Sequence, residues 1–234
     1  MDQAGHPTAL VFNLKRDSPF SFKCQVCSAC CQNKAIRIAP YEALRLARNL
    51  KIATTEVYRA YTEEGGIILR NQPDGRCIFL DSRGCGVHPD RPLVCRLFPL
   101  GQIVDSQGVA KYASMPLHPD CLGLLGTDGT VESYLESQGA LSYFRYDQVY
   151  SAVYEKIIGK LSATKPVAKA LSQPSNLPEG DLCPASPGSL LSPWLDIDAS
   201  VASYCRRKRR VKPESLDETI ALHIQALEEW IAEL

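Results

Sequence analysis

Eight of the ten cysteines in this 234-residue chain lie in its first 121 residues. Four fall in one eight-residue window, Cys24, Cys27, Cys30 and Cys31, written CQVCSACC; Cys77, Cys85, Cys95 and Cys121 complete the set. Free cysteines of a packed core do not crowd like this, so the window is either a disulfide knot or a metal site. Thiolates bind soft and borderline metals, and four sulfurs in tetrahedral array suit zinc or an iron–sulfur centre. Three cysteines in series, Cys24, Cys27 and Cys30, can wrap one larger object, as ferredoxin loops wrap a cluster. That run tilts the reading toward iron–sulfur over a lone zinc ion, whose usual signature is two separated pairs. Cys31 follows Cys30 directly, and adjacent side chains of an extended loop point to opposite sides. The eight sulfurs therefore divide into two four-sulfur sites, or into one full site and a partial one.

Charge supports the metal reading. Thiolates are anions, and Lys23, Lys34, Arg37, Arg76, Arg83, Arg91 and Arg96 all lie close to them in sequence, where they would lower the thiol pKa values. His88 is near enough to replace a sulfur, and His118 is a reserve ligand three residues before Cys121. Arg96, next to Cys95, is expected to donate hydrogen bonds to metal-bound sulfur and so tune the site. The plainer reading makes it a surface residue of a helix held between prolines. A catalytic pair of Cys95 and His88 would leave seven cysteines without a purpose. Cys183 and Cys205 stand apart and read as structural thiols.

The segments that must position these residues are short. Pro40 opens a helix with Leu44, Leu46, Ala47 and Leu50 apolar. Thr54 reads as the N-cap of a second helix through Tyr61, with Glu56 in its first turn. Ile67–Arg70 and Arg76–Leu80 read as strands around the turn Gln72-Pro73-Asp74-Gly75, and Gln102–Val104 with Val109–Tyr112 as a second hairpin. Gly75, Gly84 and Gly86 flank Cys77 and Cys85, which fits a backbone that bends tightly beside a metal. Arg91–Phe98 reads as a short helix. Residues 130–163 read as helix broken at Gly139, and 194–208 and 214–233 as helices, the last with Leu216, Ile220, Ile224, Leu227 and Ile231 on one face. His223 sits in that helix as a packed or exposed residue. The Pro- and Ser-rich stretch 164–193 reads as a long loop.

Lysine plus arginine equals aspartate plus glutamate, 26 each, which argues against a general nucleic-acid binder. The basic run Arg206 to Arg210 reads as a solvated helix end, where cations are favoured. The N-terminal MDQAGHPTALVFNLKRDSPF lacks a basic start followed by an apolar run, so no secretory signal is expected. No stretch approaches eighteen consecutive apolar residues, so no membrane span is expected. These features point to the cytoplasm, where disulfides are rare, and favour metal over a disulfide knot.

The segments FKCQVCSACC, PYEALRLA and GRCIFLDSRGCGVHPDRPLVCRLFP resemble the YkgJ-type cysteine-cluster family, described as chelators of zinc or iron. The flagellin lysine N-methylase family is similar in its cysteine core. The resemblance covers residues 20–125 and includes the CxxCxxCC start, the HPxRPxxCRxFP element and the order of all eight cysteines. Ala29 stands where the family often has glycine. The resemblance implies that Cys24, Cys27, Cys30, Cys31, Cys77, Cys85, Cys95 and Cys121 bind the metal. It leaves catalysis open: an enzyme of this kind would be an S-adenosylmethionine-dependent protein-lysine N-methyltransferase, yet no glycine-rich GxGxxG turn announces a donor site. A non-enzymatic carrier or scaffold docking a partner protein is the other alternative. The expected fold is α+β: a metal-organised core of short strands and helices over 20–125, and a helical extension over 126–234.

Overall fold

A computed structural model describes residues 10–63, 66–163 and 194–233. The loop expected over 164–193, with Cys183, lies outside the described residues, as does His6. The fold is α+β, and the chain divides into two compact units. One comprises residues up to 36 and 71–142; the other comprises 37–70 and 143 onward.

The first unit is built on three two-stranded antiparallel pairs. Strand β1 (Pro19–Lys23) pairs with β6 (Leu124–Thr130), with Lys23 opposite Leu124. β2 (Leu80–Asp81) and β3 (Gly84–Cys85) form a minimal hairpin, and β4 (Leu100–Val104) pairs with β5 (Ala110–Ser114). Two short helices complete it, α3 (Leu93–Leu97) and α4 (Val131–Ser137). Its core is thin: Phe20 meets Tyr134 edge to face at 5.0 Å, and Leu100, Tyr112 and Leu135 are fully buried. The hairpin expected at 102–112 is β4–β5. The strands expected at 67–70 and 76–80 do not form a ladder; the bridge of Asn71 with Cys77 and the bond from Gln72 N–H to the Arg76 carbonyl at 2.6 Å close that turn.

The second unit holds α1 (Pro40–Leu50), α2 (Thr54–Tyr61), α6 (Ile197–Lys208), α7 (Leu216–Glu233) and most of α5 (Ala140–Ala163). Pro40 opens α1 because its missing N–H is one the first turn leaves unbonded anyway. Glu42 reaches back to the Ala39 N–H at 2.6 Å. α2 starts at Thr54 with Ala53 as its cap, so Thr54 is the first helical residue. Its N–H is satisfied from afar, by Asp198 at 2.9 Å. Asp196, the cap of α6, accepts from the Thr54 hydroxyl at 2.6 Å and from Ala199 N–H at 3.1 Å, so the starts of α2 and α6 cap one another. Tyr41 meets Tyr143 edge to face and lies tilted against Tyr146, and the fully buried His223 bonds Tyr150 at 2.9 Å. On the expected α7 stripe, Ile220, Leu227 and Ile231 are buried, while Leu216 and Ile224 are half-buried. Ile67–Arg70 belongs to this unit, bridging Arg37 through Ile68 and Thr62 through Leu69. Among the described residues, no helix is long and apolar enough to cross a membrane.

The helices α1 and α2 lie between cysteines in sequence yet fold with the C-terminal helices, and α4 belongs to the cysteine unit.

Candidate metal centre

All eight clustered cysteines fall in the first unit. β1 runs directly into Cys24, and β6 begins three residues after Cys121, so the β1–β6 register brings these two ends together. Between Cys24 and Asn33 the chain takes a costly path. Val26 (φ 53°), Ser28 (φ 63°) and Asn33 (φ 51°) are all left-handed without being glycine. Each such residue costs on the order of 1–3 kcal/mol and persists only where its surroundings over-determine it. A β-branched residue such as Val26 is a marked outlier there. The surroundings here are backbone bonds: Cys31 N–H to Ser28 at 2.9 Å, Asn33 N–H to Gly75 at 2.8 Å and Cys77 N–H to Cys31 at 2.9 Å. Gly75 has φ 84°, and a Cβ there would stand 2.2 Å from the Asn33 side-chain oxygen, so a larger residue would be strained and would displace the Asn33 side chain.

A repeated local motif appears at the sulfurs. The main-chain N–H two residues ahead points back at the cysteine: Val26 onto Cys24 at 3.4 Å, Ala29 onto Cys27, Phe79 onto Cys77, Val87 onto Cys85 and Gly123 onto Cys121. Cys27 also receives the N–H of Leu122 at 3.4 Å. Hydrogen bonds to the charged form of a group favour that form. The N–H groups of Ala29 and Leu122 accordingly hold the Cys27 thiol below its ordinary value. Burial pushes Cys77, Cys85 and Cys121 up, each opposed by its own N–H···S bond. The Cys30 and Cys31 sulfurs stand 3.8 Å apart, within reach of an S–H···S hydrogen bond. Cys30 is drawn down to about 7 by the hydrogen bond from Cys31, with Lys34 and Arg91 adding their charge; Cys31 is pushed up by that same bond and by burial.

The cations divide more sharply than proximity in sequence suggests. Lys34 and Arg91 act on Cys30, and Arg91 also lies within reach of Cys85 and Cys95. Arg76 pairs instead with Asp74 at 2.6 Å, Arg83 with Asp81 at 3.4 Å, and Arg37 belongs to the other unit. Arg91 is fixed by Gln138, the C-terminal cap of α4, whose Oε1 accepts at 2.5 Å. Arg96 is buried, and its guanidinium donates to the main-chain carbonyls of Pro89, of Arg91 at 2.9 Å and of Gln138 at 2.6 Å. It thus ties the segment from His88 to Cys95 to the end of α4. His88 is exposed on one side and 3.0 Å from the Arg91 guanidinium on the other; partial desolvation there and the Arg91 charge lower its pKa. His118 closes a turn onto Cys121, accepting the Cys121 N–H at 2.8 Å through its carbonyl. Cys205 is buried in the other unit, with its sulfur 3.7 Å from the Val211 carbonyl.

Sequence reasoning missed the contribution of α4. Tyr134 lies within electrostatic reach of Cys24 and Cys30, and Gln138 orients Arg91. No local signal marks either residue. β1 did carry one, in the alternation of Phe20 and Phe22 with Ser21 and Lys23.

Among the described residues, no group of three or more His, Cys, Asp or Glu side chains is arranged to hold a metal ion as it stands. The chemistry of the donors, thiols, is that of a thiophilic metal. All eight share one unit, five receive main-chain N–H···S bonds, and Lys34 or Arg91 lies within reach of Cys30, Cys85 and Cys95. Comparison with known proteins points the same way. Residues 23–115 match the CxxCxxCC family model, described as "Putative zinc- or iron-chelating domain". The chain is also similar to an uncharacterized protein of Methanocaldococcus jannaschii, 29% identical over 133 residues, which is 55% of this chain and 68% of that protein. No solved structure matches.

Proposed function

We propose that this chain is a metal–thiolate protein whose cysteine unit holds zinc or an iron–sulfur cluster through Cys24, Cys27, Cys30, Cys31, Cys77, Cys85, Cys95 and Cys121. The observation that carries the reading is the recurrence of main-chain N–H groups aimed at sulfur, at five of these cysteines. Such bonds support a sulfur that is an anion and an acceptor, and hydrogen bonds to sulfur are a main lever on metal–sulfur centres. The serial run Cys24, Cys27, Cys30 keeps iron–sulfur ahead of zinc.

The residues around the sulfurs do three things. The left-handed turns at Val26 and Ser28 fold the ligand loop back on itself. Lys34 and Arg91 offset thiolate charge, and Arg91 is held in place by Gln138. Arg96 positions the His88–Cys95 segment through its carbonyl bonds. The metal itself would supply the cross-links between loops that the thin apolar core lacks.

Anaerobic purification followed by metal analysis and a visible spectrum tests the reading. Stoichiometric iron with acid-labile sulfide and a brown colour means a cluster; stoichiometric zinc without colour means a zinc site. A folded, reduced chain that contains neither, takes up neither on reconstitution and leaves all eight thiols reactive sinks it.

A further inference from the structure

The metal centre leaves one motif of the sequence unused. Residues 206–212, RRKRRVK, carry six cations and no carboxylate. Without these six, the rest of the chain holds twenty cations against 26 acids, a net charge of −6, so overall neutrality conceals a local concentration of positive charge. The run starts in the last turn of α6 and continues past it, and all six charged side chains are exposed. Cations are favoured at a helix C-terminus, but that effect fades within the last turn and does not account for Arg209, Arg210 and Lys212 beyond it. Their partners are few. Among the described residues, the run's one carboxylate contact is from Lys208 to Glu229 of α7 at 2.8 Å, and Arg210 reaches the neutral Gln225 at 3.3 Å. Arg207 lies over the Tyr204 ring at 5.5 Å. Arg209 is the C-terminal cap of α6, with φ 52°, and Arg210 N–H bonds the Cys205 carbonyl at 2.9 Å. Glycine commonly takes the left-handed position at a helix end. An arginine there adds charge where charge is already dense.

We infer that the run 206–212 is a docking surface for the phosphate backbone of duplex nucleic acid, held without regard to base sequence. Charge density favours this occupant. A helix rises about 1.5 Å per residue and extended chain about 3.3 Å, so the six cations from Arg206 to Lys212 occupy at most about 13 Å, one charge per roughly 2 Å. Duplex DNA carries one negative charge per about 1.7 Å of its axis. An extended acidic peptide offers no more than one per about 3.3 Å. Four of the six cations are arginines, whose planar fork takes two phosphate oxygens at once. An anionic membrane surface asks instead for a one-sided basic face backed by a broad apolar one. Here successive helical residues turn by about 100°, which spreads the charges around the helix end. Val211, 92% exposed, is the run's single apolar side chain. The surface belongs to the helical unit and involves none of the eight clustered cysteines.

The test uses the full chain, purified anaerobically, and the fluorescence polarisation of a short labelled DNA duplex of mixed sequence over a range of salt concentrations. With about five phosphates neutralised, by the cations that have no carboxylate, log affinity should fall against log salt with a slope of about −4.5. Duplexes of unrelated sequence should bind alike. Arg206→Gln, Arg207→Gln, Arg209→Gln and Arg210→Gln together should weaken binding at low salt by more than about tenfold and flatten the slope by about 3.6. Lys51→Gln, Arg59→Gln, Arg145→Gln and Lys156→Gln together make the same change of charge at other exposed helical positions and should keep the parental slope. Should the first variant fail to fold, Arg209→Gly replaces it: glycine suits φ 52°, so the helix end is kept while the slope falls by about one. Absence of duplex binding by the parent, equal binding by the two quadruple variants, or a parental slope in Arg209→Gly overturns the assignment. So does capture of the chain by phosphatidylserine vesicles when the duplex is not retained, which would make the partner a membrane surface.

Discussion

The two units of this chain are stabilised by different means. Of the twelve largest fully buried side chains among the described residues, nine lie in the helical unit and three, Leu100, Tyr112 and Leu135, in the cysteine unit. The helical unit buries an aromatic and aliphatic interior, and burying one such side chain is worth roughly 1.5–3 kcal/mol. The cysteine unit has two-residue and five-residue strand pairs, three left-handed non-glycine residues near its ligands and exposed Val26, Leu122 and Leu124. On the reading proposed above, thiolate–metal bonds would add the cross-links that this smaller apolar interior does not supply. The comparison teaches that sequence proximity to cysteine does not decide which residues depend on metal.

Metal removal offers the largest test of that contrast. Structural zinc in small domains carries about 10–16 kcal/mol of apparent binding free energy, more than a thin core can replace. A strong chelator under reducing conditions should disorder residues 10–36 and 71–142. Trypsin should then cut rapidly at Lys23, Lys34, Arg76 and Arg83. Cleavage at Arg45, Arg48 and Arg59, in α1 and α2, should stay slow, and the far-ultraviolet helical signal should persist. Equal protection of both groups of sites in a verified metal-free sample would break the comparison.

That experiment also bears on what was legible in the sequence. The cysteine set, the α+β class, the hairpin at 100–114 and the helices from 130 onward all announce themselves locally, through spacing, turn residues and periodicity. The helix break at Gly139 is likewise local, and Gly139 takes φ 61°. What the sequence hides is long-range. Nothing in PYEALRLA says that its buried face belongs with α5 and α6, because an apolar stripe names no partner. The mutual capping of α2 and α6 by Thr54, Asp196 and Asp198 joins residues more than 140 positions apart. In the candidate site the cysteines were visible and the positioning groups were not. Gln138 and Tyr134 are unremarkable letters until α4 places them, and Arg96 changes from a neighbour of sulfur to a clamp on three carbonyls only in three dimensions.

Arg96 gives an intermediate effect confined to the cysteine unit. Truncation to alanine leaves the carbonyls of Pro89, Arg91 and Gln138 without their charged donor, and a buried group stripped of its partner costs about 1–3 kcal/mol. Loss of a residue that orients ligands typically lowers metal affinity 10–100-fold. Arg96→Ala should therefore weaken binding by about that factor in a chelator competition titration, with the same cysteines still protected from alkylation. Arg96→Lys should recover only part, since lysine keeps the charge and loses the planar fork that reaches several carbonyls. Parental affinity in Arg96→Ala would reduce this residue to packing.

The smallest effect belongs to the helical unit and comes from Asp198. Burial by itself would raise its carboxyl, but the Arg48 guanidinium, at 2.7 and 3.0 Å, and the Thr54 N–H outweigh that and hold it below the usual carboxylate range. A carboxyl whose folded pKa is depressed adds stability that is complete above its unfolded value, about 3.9. That contribution drains away as pH falls through the lower folded value. Because Arg48 is 42% exposed, solvent screening limits the ion pair to about 0.5–1 kcal/mol. Asp198→Asn should lower the helical unit's unfolding midpoint slightly at neutral pH and leave bound metal per chain unchanged. The gap between parent and variant should narrow as the pH drops below about 4, when the parent's own carboxyl takes up its proton. A gap that stays constant into acid would mean that the Asp198 contribution is steric rather than ionic, and a simultaneous loss of metal would mean that the two units are not stabilised independently.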